Sequence, residues 1–351
     1  MPSQLAISTM SLGRCFAGHA LEHKLDMAAK YNYRGIELWH EDLMDVAERY
    51  TGGSALVSNQ LAAAHDVRRL CEARNLHILC LQPFQHFEGL LDRAQHARRL
   101  DELRIWFQLA HALQTDLIQI PSNVLPREQV SGDLADHIVD LREVADMGAA
   151  ATPPLRFSFE SLGWGAVCDT WEASWEVVRG VDRANFGLCL DTFNICARVY
   201  ADPTAATGRV ARADEAVRAS MERLVATVDA ARVFYVQVVD AERLRAPLGP
   251  GHAFYDAAQP ARMSWSRNCR LFYGEQARGG YLPVRAVASA IFQGLGFEGW
   301  VSLELFNRRM SQPDPGVPEE LAKRGAASFA KLVRDMRMSV EEPVLPVTAS
   351  L

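Results

Sequence analysis

The sequence predicts an α/β protein built as a single closed (β/α)₈ TIM barrel. Eight short apolar runs alternate with longer amphipathic stretches along the 351-residue chain. The runs are apolar almost throughout, which is typical of parallel strands that are buried on both faces. A doubly wound sheet is the alternative, but its phosphate-binding first turn requires a GxGxxG pattern, which the segment SLGRCFAG at 11–18 lacks. The alternation therefore favours the barrel.

In chain order, the eight strands are predicted at 5–8, 34–38, 77–81, 116–120, 156–160, 186–191, 233–239 and 300–305. Between them, apolar residues recur at the spacing of one helix face, most clearly over 21–29, 61–71, 100–113 and 321–333.

We predict one barrel domain over residues 1–338. The stretch 240–281 lacks clear periodicity. We expect it to be a long active-site loop, because loops at the C-terminal face of a barrel build its active site. The proline-containing end, 339–351, is expected to be a flexible tail.

Composition excludes several classes of partner. Hydrophobic residues make up 49% of the chain and charged residues 23%, and no apolar run is long enough to cross a bilayer, so we expect no membrane partner. The 37 basic and 43 acidic side chains leave a net charge of −6, which argues against nucleic acid. The seven cysteines form no CxxC pair and no secretory signal is recognised, so we predict a cytoplasmic protein with reduced thiols. A homo-oligomer is compatible with these features.

Polar residues interrupt or close the last four predicted strands. They are Glu160, Asp191, Gln237 and Glu304, separated by 31, 46 and 67 residues, or one βα unit per step. Four consecutive strands of a barrel would direct these side chains into one mouth. Three converging carboxylates need a cation to stay ionised. Together with an amide oxygen they form a hard-oxygen donor set, which predicts one divalent metal ion (Mg²⁺, Mn²⁺ or Co²⁺).

The alternative for any one of these acids is a local role, as a helix cap or the partner of a nearby base. Four such residues at corresponding positions are much harder to explain in this way. Glu304 is the sharpest case, because it interrupts the apolar run VSLELF and a buried acid requires a partner.

The motifs around these positions resemble a known family over nearly the whole chain. They are MSLGRC, GIELWHEDL, LQPFQHFEG, FESLGWG, LDTFNIC, QVVDAERL, PARMSWSRNCRLF and VSLELFN. The sequence is similar to the xylose-isomerase-like sugar phosphate isomerase/epimerase metal barrels and, more narrowly, to the fungal 3-dehydroshikimate dehydratases of quinate degradation. This resemblance implies a metal-dependent hydro-lyase that converts 3-dehydroshikimate to protocatechuate through a metal-stabilised enolate.

Two other functions remain open at this point. One is a sugar or inositol-derivative isomerase or epimerase that uses the same metal site, since sugar isomerisation begins with the same enolate chemistry. The other is a barrel that binds a shikimate-like metabolite without turnover.

A small-molecule carboxylate substrate calls for a guanidinium, whose planar fork matches a planar anion. Arg267 and Arg270 in SWSRNCR are the candidates, with Ser266 as a further donor. Gln82 at the end of the third strand is expected to bind a ring oxygen. Asn194 stands three residues after the strand-six aspartate, where many relatives have His. Because Asn cannot act as a base, we predict a contact with substrate or with a ligand at this position.

The catalytic base is expected among His86, His40 and Glu37, which follow or close the second and third strands. Histidine, and a glutamate crowded by other charges, can have a pKa near neutrality, as a general base requires. His252 and one of the metal-ligand carboxylates are the alternatives.

Overall fold

A computed structural model describes residues 2–340 of the chain. Its strands are β1 (Gln4–Ser8), β2 (Gly35–Trp39), β3 (His77–Gln82), β4 (Leu117–Pro121), β5 (Arg156–Glu160), β6 (Phe186–Asp191), β7 (Val233–Gln237), β8 (Asp240–Ala241), β9 (Arg270–Leu271) and β10 (Trp300–Leu303). Eight of them form a closed parallel barrel in the order β1-β10-β7-β6-β5-β4-β3-β2. The predicted fold is confirmed.

Helices cover the outside of this barrel. They are α1 (Leu21–Lys30), α2 (His40–Glu48), α3 (Val57–Glu72), α4 (Arg93–Leu113), α5 (Leu134–Ala150), α6 (Trp171–Val181), α7 (Thr192–Val199), α8 (Ala213–Thr227), α9 (Ala261–Cys269), α10 (Val284–Ser289) and α11 (Val317–Met336). The strands are buried on both faces; all six residues of β6, for example, are buried. Side chains fill the barrel and the helices cover its outer face, which explains the continuous apolar runs in the sequence.

Two barrel strands end earlier than predicted. β7 ends at Gln237 and β10 at Leu303, two residues before the predicted boundaries. Beyond these residues, side-chain hydroxyl groups accept the backbone hydrogen bonds that a neighbouring strand would otherwise accept. Thr192 accepts from the backbone N–H of Val239 at 3.0 Å, and Ser11 accepts from that of Leu305 at 2.8 Å. These bonds satisfy buried backbone groups where the chain leaves the sheet.

The segment 240–281 is more ordered than its lack of periodicity indicated. It contains β8, α9 and β9, and the two short strands pair antiparallel, with Asp240 opposite Leu271. Helix α9 has no clear apolar stripe because its sequence, ARMSWSRNC, is mostly polar yet five of its nine residues are buried. Of the predicted tail 339–351, only Ser339 and Val340 are described, and Val340 pairs with Ser3; residues 341–351 lie outside the described part.

Within residues 2–340, no helix is both long enough and apolar enough to cross a membrane. The seven cysteines are free thiols, six of them buried.

Candidate metal centre and active-site cavity

The four predicted metal-binding residues lie at the ends of four strands, at the C-terminal end of the barrel. Glu160, Asp191 and Gln237 are the last residues of β5, β6 and β7, and Glu304 follows the last residue of β10. Asp191 lies opposite Gln237 in the β6–β7 register. All four side chains are buried. The apolar strands therefore carry each polar group to the same end of the barrel.

The three carboxylates converge. Glu160, Asp191 and Glu304 each have an oxygen that lies within 4.8 Å of an oxygen of the other two. Burial raises the pKa of Glu304 to about 8, while the nearby charge of Arg270 opposes this rise. Burial also raises the pKa of Glu160, and the charges of Glu304 and Asp191 raise it further. Such mutual repulsion is relieved by a bound cation.

Gln237 completes this set with an oxygen that has no partner. Its Nε2 donates to both carboxylate oxygens of Glu37, at 3.1 and 3.0 Å. Its Oε1 is buried and has no hydrogen-bond partner among the described residues. A buried acceptor is normally satisfied, so this free amide oxygen beside three carboxylates fits a hard divalent cation.

Glu37, a candidate base, contacts Gln237 and does not line the active-site cavity described below. It is fully buried and accepts hydrogen bonds from Gln237, from Tyr235 at 2.8 Å, from Gln82 at 2.9 Å and from Ser302. Burial raises its pKa although these donors oppose the rise. Glu37 therefore holds the amide of Gln237 by hydrogen bonds and is not among the residues that line the cavity.

Arg270 bonds directly to the carboxylate cluster. Its Nη1 donates to Asp191 at 2.8 Å and to Glu304 at 3.2 Å, and its Nε donates to the hydroxyl of Ser266 at 3.0 Å. The guanidinium carbon lies 4.3 Å from the ring centroid of Phe193 and 4.9 Å from that of Phe306. Arg270 and Ser266 both line the cavity, but much of the Arg270 charge is already matched by the protein.

Asn194 donates hydrogen bonds to two carboxylates of the cluster. Its Nδ2 donates to Glu160 and to Asp191, each at 2.8 Å, and its Oδ1 accepts from the backbone of Gly163 at 3.0 Å. It does not line the cavity. Asn194 therefore contacts two of the carboxylates that are predicted to bind the metal.

The two candidate histidines also lie outside the cavity lining. His40 opens α2 and stacks on Trp106 with ring centroids 4.6 Å apart, and burial lowers its pKa to about 4. His86 has a left-handed backbone with φ of 55° and a buried Nδ1 without a partner among the described residues, and burial lowers its pKa. The structure does not bring either imidazole to the carboxylate cluster.

The cavity above the carboxylates has a volume of about 400 Å³. Its polar and charged lining side chains are Arg14, Gln82, Gln85, Gln119, Glu160, Ser266, Arg267, Arg270, Glu304, Asn307 and Ser311. Aromatic and apolar side chains, including Trp39, Trp164 and Phe306, form the remaining wall. This mixture suits a small polar ring.

Five of these polar residues were not predicted as site residues: Arg14, Gln85, Gln119, Asn307 and Ser311. Gln119 donates through Nε2 to Glu160, and its Oε1 is buried without a partner among the described residues. The sequence feature that could have identified Gln119 is its position as a polar residue within the apolar strand LIQIP. Arg14 belongs to the motif MSLGRC, which by itself does not show that its arginine lies at the cavity.

Comparison with known proteins places the chain among related barrels. The family model described as "xylose isomerase-like TIM barrel" matches residues 25–332. The chain is 60% identical to the 3-dehydroshikimate dehydratase of Neurospora crassa, with 100% of both chains covered. It is 32% identical to the 3-dehydroshikimate dehydratase of Pseudomonas aeruginosa, over 87% of this chain and 38% of that protein.

A solved structure of the IOLI protein with a bound zinc atom has the same fold. The TM-score is 0.67 at 18% identity, over 95% of this chain and 99% of that chain.

Proposed function

The chain belongs to the xylose isomerase-like TIM barrel family, and we propose that it is a 3-dehydroshikimate dehydratase, a hydro-lyase that forms protocatechuate. The observation that carries this proposal is the 60% identity, over the full length of both chains, to the Neurospora crassa enzyme of that name. The sugar isomerase alternative receives no such support, because the curated relatives in three organisms are all named as dehydratases.

The reaction removes the proton α to the substrate ketone and releases the β-hydroxyl as water. Glu160, Asp191, Glu304 and the free Oε1 of Gln237 would hold one divalent cation (Mg²⁺, Mn²⁺ or Co²⁺). A bound divalent ion supplies Lewis acidity, which makes the α-proton easier to remove.

Neighbouring side chains hold these donors in place. Asn194 and Gln119 donate to Glu160, and Glu37 fixes the amide of Gln237. Hydrogen bonds of this kind orient metal ligands and maintain their affinity. We therefore assign Glu37 and Asn194 to the support of the cation site.

The substrate carboxylate requires a cation that the protein has not already neutralised. The charge of Arg270 and the two charges of a divalent ion would together balance the three buried carboxylates. Arg267 lines the same cavity and donates to the neutral amide of Gln259 at 2.6 Å. We assign Arg267 to the substrate carboxylate, and Ser266, Arg270 and Gln82 to the adjoining wall that contacts the ring substituents.

The cavity also limits the choice of base. Among the lining residues in the described part of the chain, the only carboxylate or imidazole groups are Glu160 and Glu304. We therefore place the proton acceptor at one of these two carboxylates, the alternative that the sequence had left open beside histidine.

The activity is tested by mixing the purified chain with 3-dehydroshikimate and Mg²⁺, Mn²⁺ or Co²⁺, and following the near-ultraviolet absorbance of the aromatic product. We expect product with at least one ion, and none after exhaustive chelation. No product with any of the three ions would contradict the proposed function.

Replacing Glu304 with Gln should largely abolish turnover and weaken ion binding, because one negative donor is lost. Glu72→Gln is a matched control, since Glu72 is exposed on α3 and pairs with Arg68 far from the cavity. Full activity of Glu304→Gln after chelation would contradict the proposed cation site.

A further inference from the structure

Arg14 brings a third guanidinium to the cavity lining, beside those of Arg267 and Arg270, from the loop after β1. Its backbone N–H donates to the carbonyl of Met310 at 2.9 Å. The carbonyl of the preceding Gly13 accepts from Lys24 at 2.9 Å, and Lys24 is itself buried and paired with Asp42 at 2.5 Å. A buried ion pair of this kind holds the loop in one position.

The residue before Arg14 must be glycine. Gly13 has φ of +127°, and a Cβ at this position would lie 2.6 Å from the ring of His19. Any other residue would therefore strain the backbone and displace its neighbours. The loop is thus built to hold Arg14 at one place beside the cavity.

The guanidinium of Arg14 is only partly used by the protein. One Nη donates to Glu41 at 2.7 Å, and the group lies 4.9 Å from the ring centroid of Phe16. Its Nε is buried and has no hydrogen-bond partner among the described residues. A buried charged donor without a partner is unusual in a folded protein, and Arg14 is one of the residues that line the cavity.

Arg267 lies close enough to Arg14 for their charges to interact. Burial lowers the pKa of Arg267, and the charge of Arg14 lowers it further. Within residues 2–340, no carboxylate forms an ion pair with Arg267. Two like charges face one cavity, and an anion bound between them would relieve their repulsion.

We propose that Arg14 and Arg267 together bind the substrate carboxylate, and that Arg14 is a specificity-determining residue for acidic substrates. This inference rests on the proposed function. Arg14 reaches the cavity from the loop after β1 and Arg267 from α9. Arg14 pairs with one partly exposed carboxylate, Glu41, whereas Arg270 pairs with two buried ones, Asp191 and Glu304. The ring is thereby oriented with its carboxylate at the rim and its oxygens towards the buried carboxylate cluster.

The test uses two ligands that differ by one group: protocatechuate, and catechol, which lacks the carboxylate. Calorimetry on the Mn²⁺-loaded full chain would measure both affinities for the wild type and Arg14→Gln. We expect Arg14→Gln to bind protocatechuate roughly tenfold or more weakly, because a charge-assisted hydrogen bond is lost, and to bind catechol as the wild type does. Its KM for 3-dehydroshikimate should rise more than its kcat falls. Equal weakening of both ligands, or of neither, would overturn the inference.

Two further variants separate anion binding from a structural role. Arg14→Lys keeps the charge and should retain part of the preference for protocatechuate over catechol. Glu41→Gln removes the protein partner of Arg14 and keeps the arginine, so it should retain that preference. Loss of the preference in Glu41→Gln to the same extent as in Arg14→Gln would show a purely structural role and overturn the inference.

The failure of the proposed function has a different signature. It would appear as absence of turnover by the wild type with every ion, whereas the comparison of the two ligands decides the role of Arg14 even without turnover. Arg49→Gln serves as a control, since Arg49 bonds to Glu22 and Asp45 outside the cavity. Its affinities for both ligands should equal those of the wild type.

Discussion

The side chain of Glu37 determines which atom of Gln237 is available to a ligand. A carboxylate can only accept hydrogen bonds, so it holds the NH₂ side of the amide and leaves the oxygen unpaired. Both distances to Nε2, 3.1 and 3.0 Å, fit this arrangement. In the proposed four-oxygen site, Glu37 therefore leaves the amide oxygen of Gln237 available to a cation.

Replacing Glu37 with Gln should weaken both the site and the fold. The new amide brings a donor towards Tyr235, Gln82, Ser302 and Gln237, which already donate to this position. We expect the affinity for Mn²⁺ to fall about 10–100-fold and the free energy of unfolding to fall by about 1–3 kcal/mol. Titration calorimetry and urea denaturation would measure the two effects.

Glu88→Gln is the matched control for a buried glutamate away from the cavity. Glu88 is fully buried, and burial raises its pKa to about 8. This variant should alter stability and leave the affinity for Mn²⁺ unchanged. Undiminished Mn²⁺ binding by Glu37→Gln would refute the positioning role.

At the scale of elements, the segment 240–281 is held together by one buried carboxylate. Oδ1 of Asp240 accepts from the backbone N–H of Ala241 at 2.7 Å, of Tyr281 at 3.2 Å and of Leu282 at 2.9 Å. Burial raises the pKa of Asp240 to about 6 although these donors oppose the rise, and the charge of Glu275 adds to it. The Asp240 carboxyl thus joins the two ends of the segment that carries Arg267 and Arg270, and its pKa lies in a pH range where the folded protein can be studied.

Asp240 should make stability depend on pH in a definite direction. Its pKa is about 6 in the folded protein and 3.8 as the ordinary value, so the folded state binds more protons between these two values. The stability contributed by the protonated form is complete below pH 4 and is lost as the pH rises through 6. Relative to Asp240→Asn, the wild type should lose about 2 kcal/mol between pH 4.5 and 7.

Urea denaturation of both proteins across this pH range measures that difference, because the other titrating groups are common to both. Glu275→Gln removes a neighbouring negative charge and should lower the pKa of Asp240 in the folded protein. The pH range over which stability is lost should therefore become narrower. If the free energy of unfolding of the wild type, relative to that of Asp240→Asn, stayed constant or rose with pH, the raised pKa assigned to Asp240 would be contradicted.

At the scale of the whole molecule, the site joins distant parts of the barrel. Glu160, Asp191, Gln237 and Glu304 come from four strands, and Arg270 from the segment between the last two. The unfolded chain cannot hold these donors together. Any ion that binds only the folded arrangement must therefore stabilise the entire fold by mass action.

We expect Mn²⁺ to raise the thermal midpoint of the wild type. At an ion concentration 100 times the Kd, the stabilisation is about 2.7 kcal/mol, which corresponds to a shift of a few degrees for a chain of this size. Differential scanning calorimetry with and without a chelator measures the shift, and parallel scans with Mg²⁺ and Co²⁺ rank the ions.

Glu160→Gln provides the comparison, because it removes one donor of the site. Its midpoint should respond weakly or not at all to the same ions. An equal shift in this variant would indicate ion binding elsewhere on the molecule and count against the four-oxygen site.

The barrel, and the position of polar groups at the C-terminal ends of its strands, were determined by the sequence itself. Continuous apolar runs can be buried only as strands covered on both faces, and parallel strands present their C-terminal ends on one side. The residues Glu160, Asp191, Gln237 and Glu304 could therefore be grouped before any coordinates were known. Two of the eight strands end early, because the backbone N–H groups of Val239 and Leu305 donate to the hydroxyls of Thr192 and Ser11 and not to a neighbouring strand, which periodicity does not encode.

Only the tertiary structure decided which of the remaining side chains line the cavity and which hold other side chains in place. Glu37, Asn194, His40 and His86 were all expected at the mouth of the barrel, yet none of them lines the cavity. Their surroundings depend on strand register and on which helix packs over each loop. Arg14 lies beside the cavity on a loop whose backbone conformation requires glycine at position 13 and which is bonded to the buried Lys24–Asp42 pair. Contacts between groups hundreds of residues apart are set by packing in three dimensions, and local sequence patterns do not specify them.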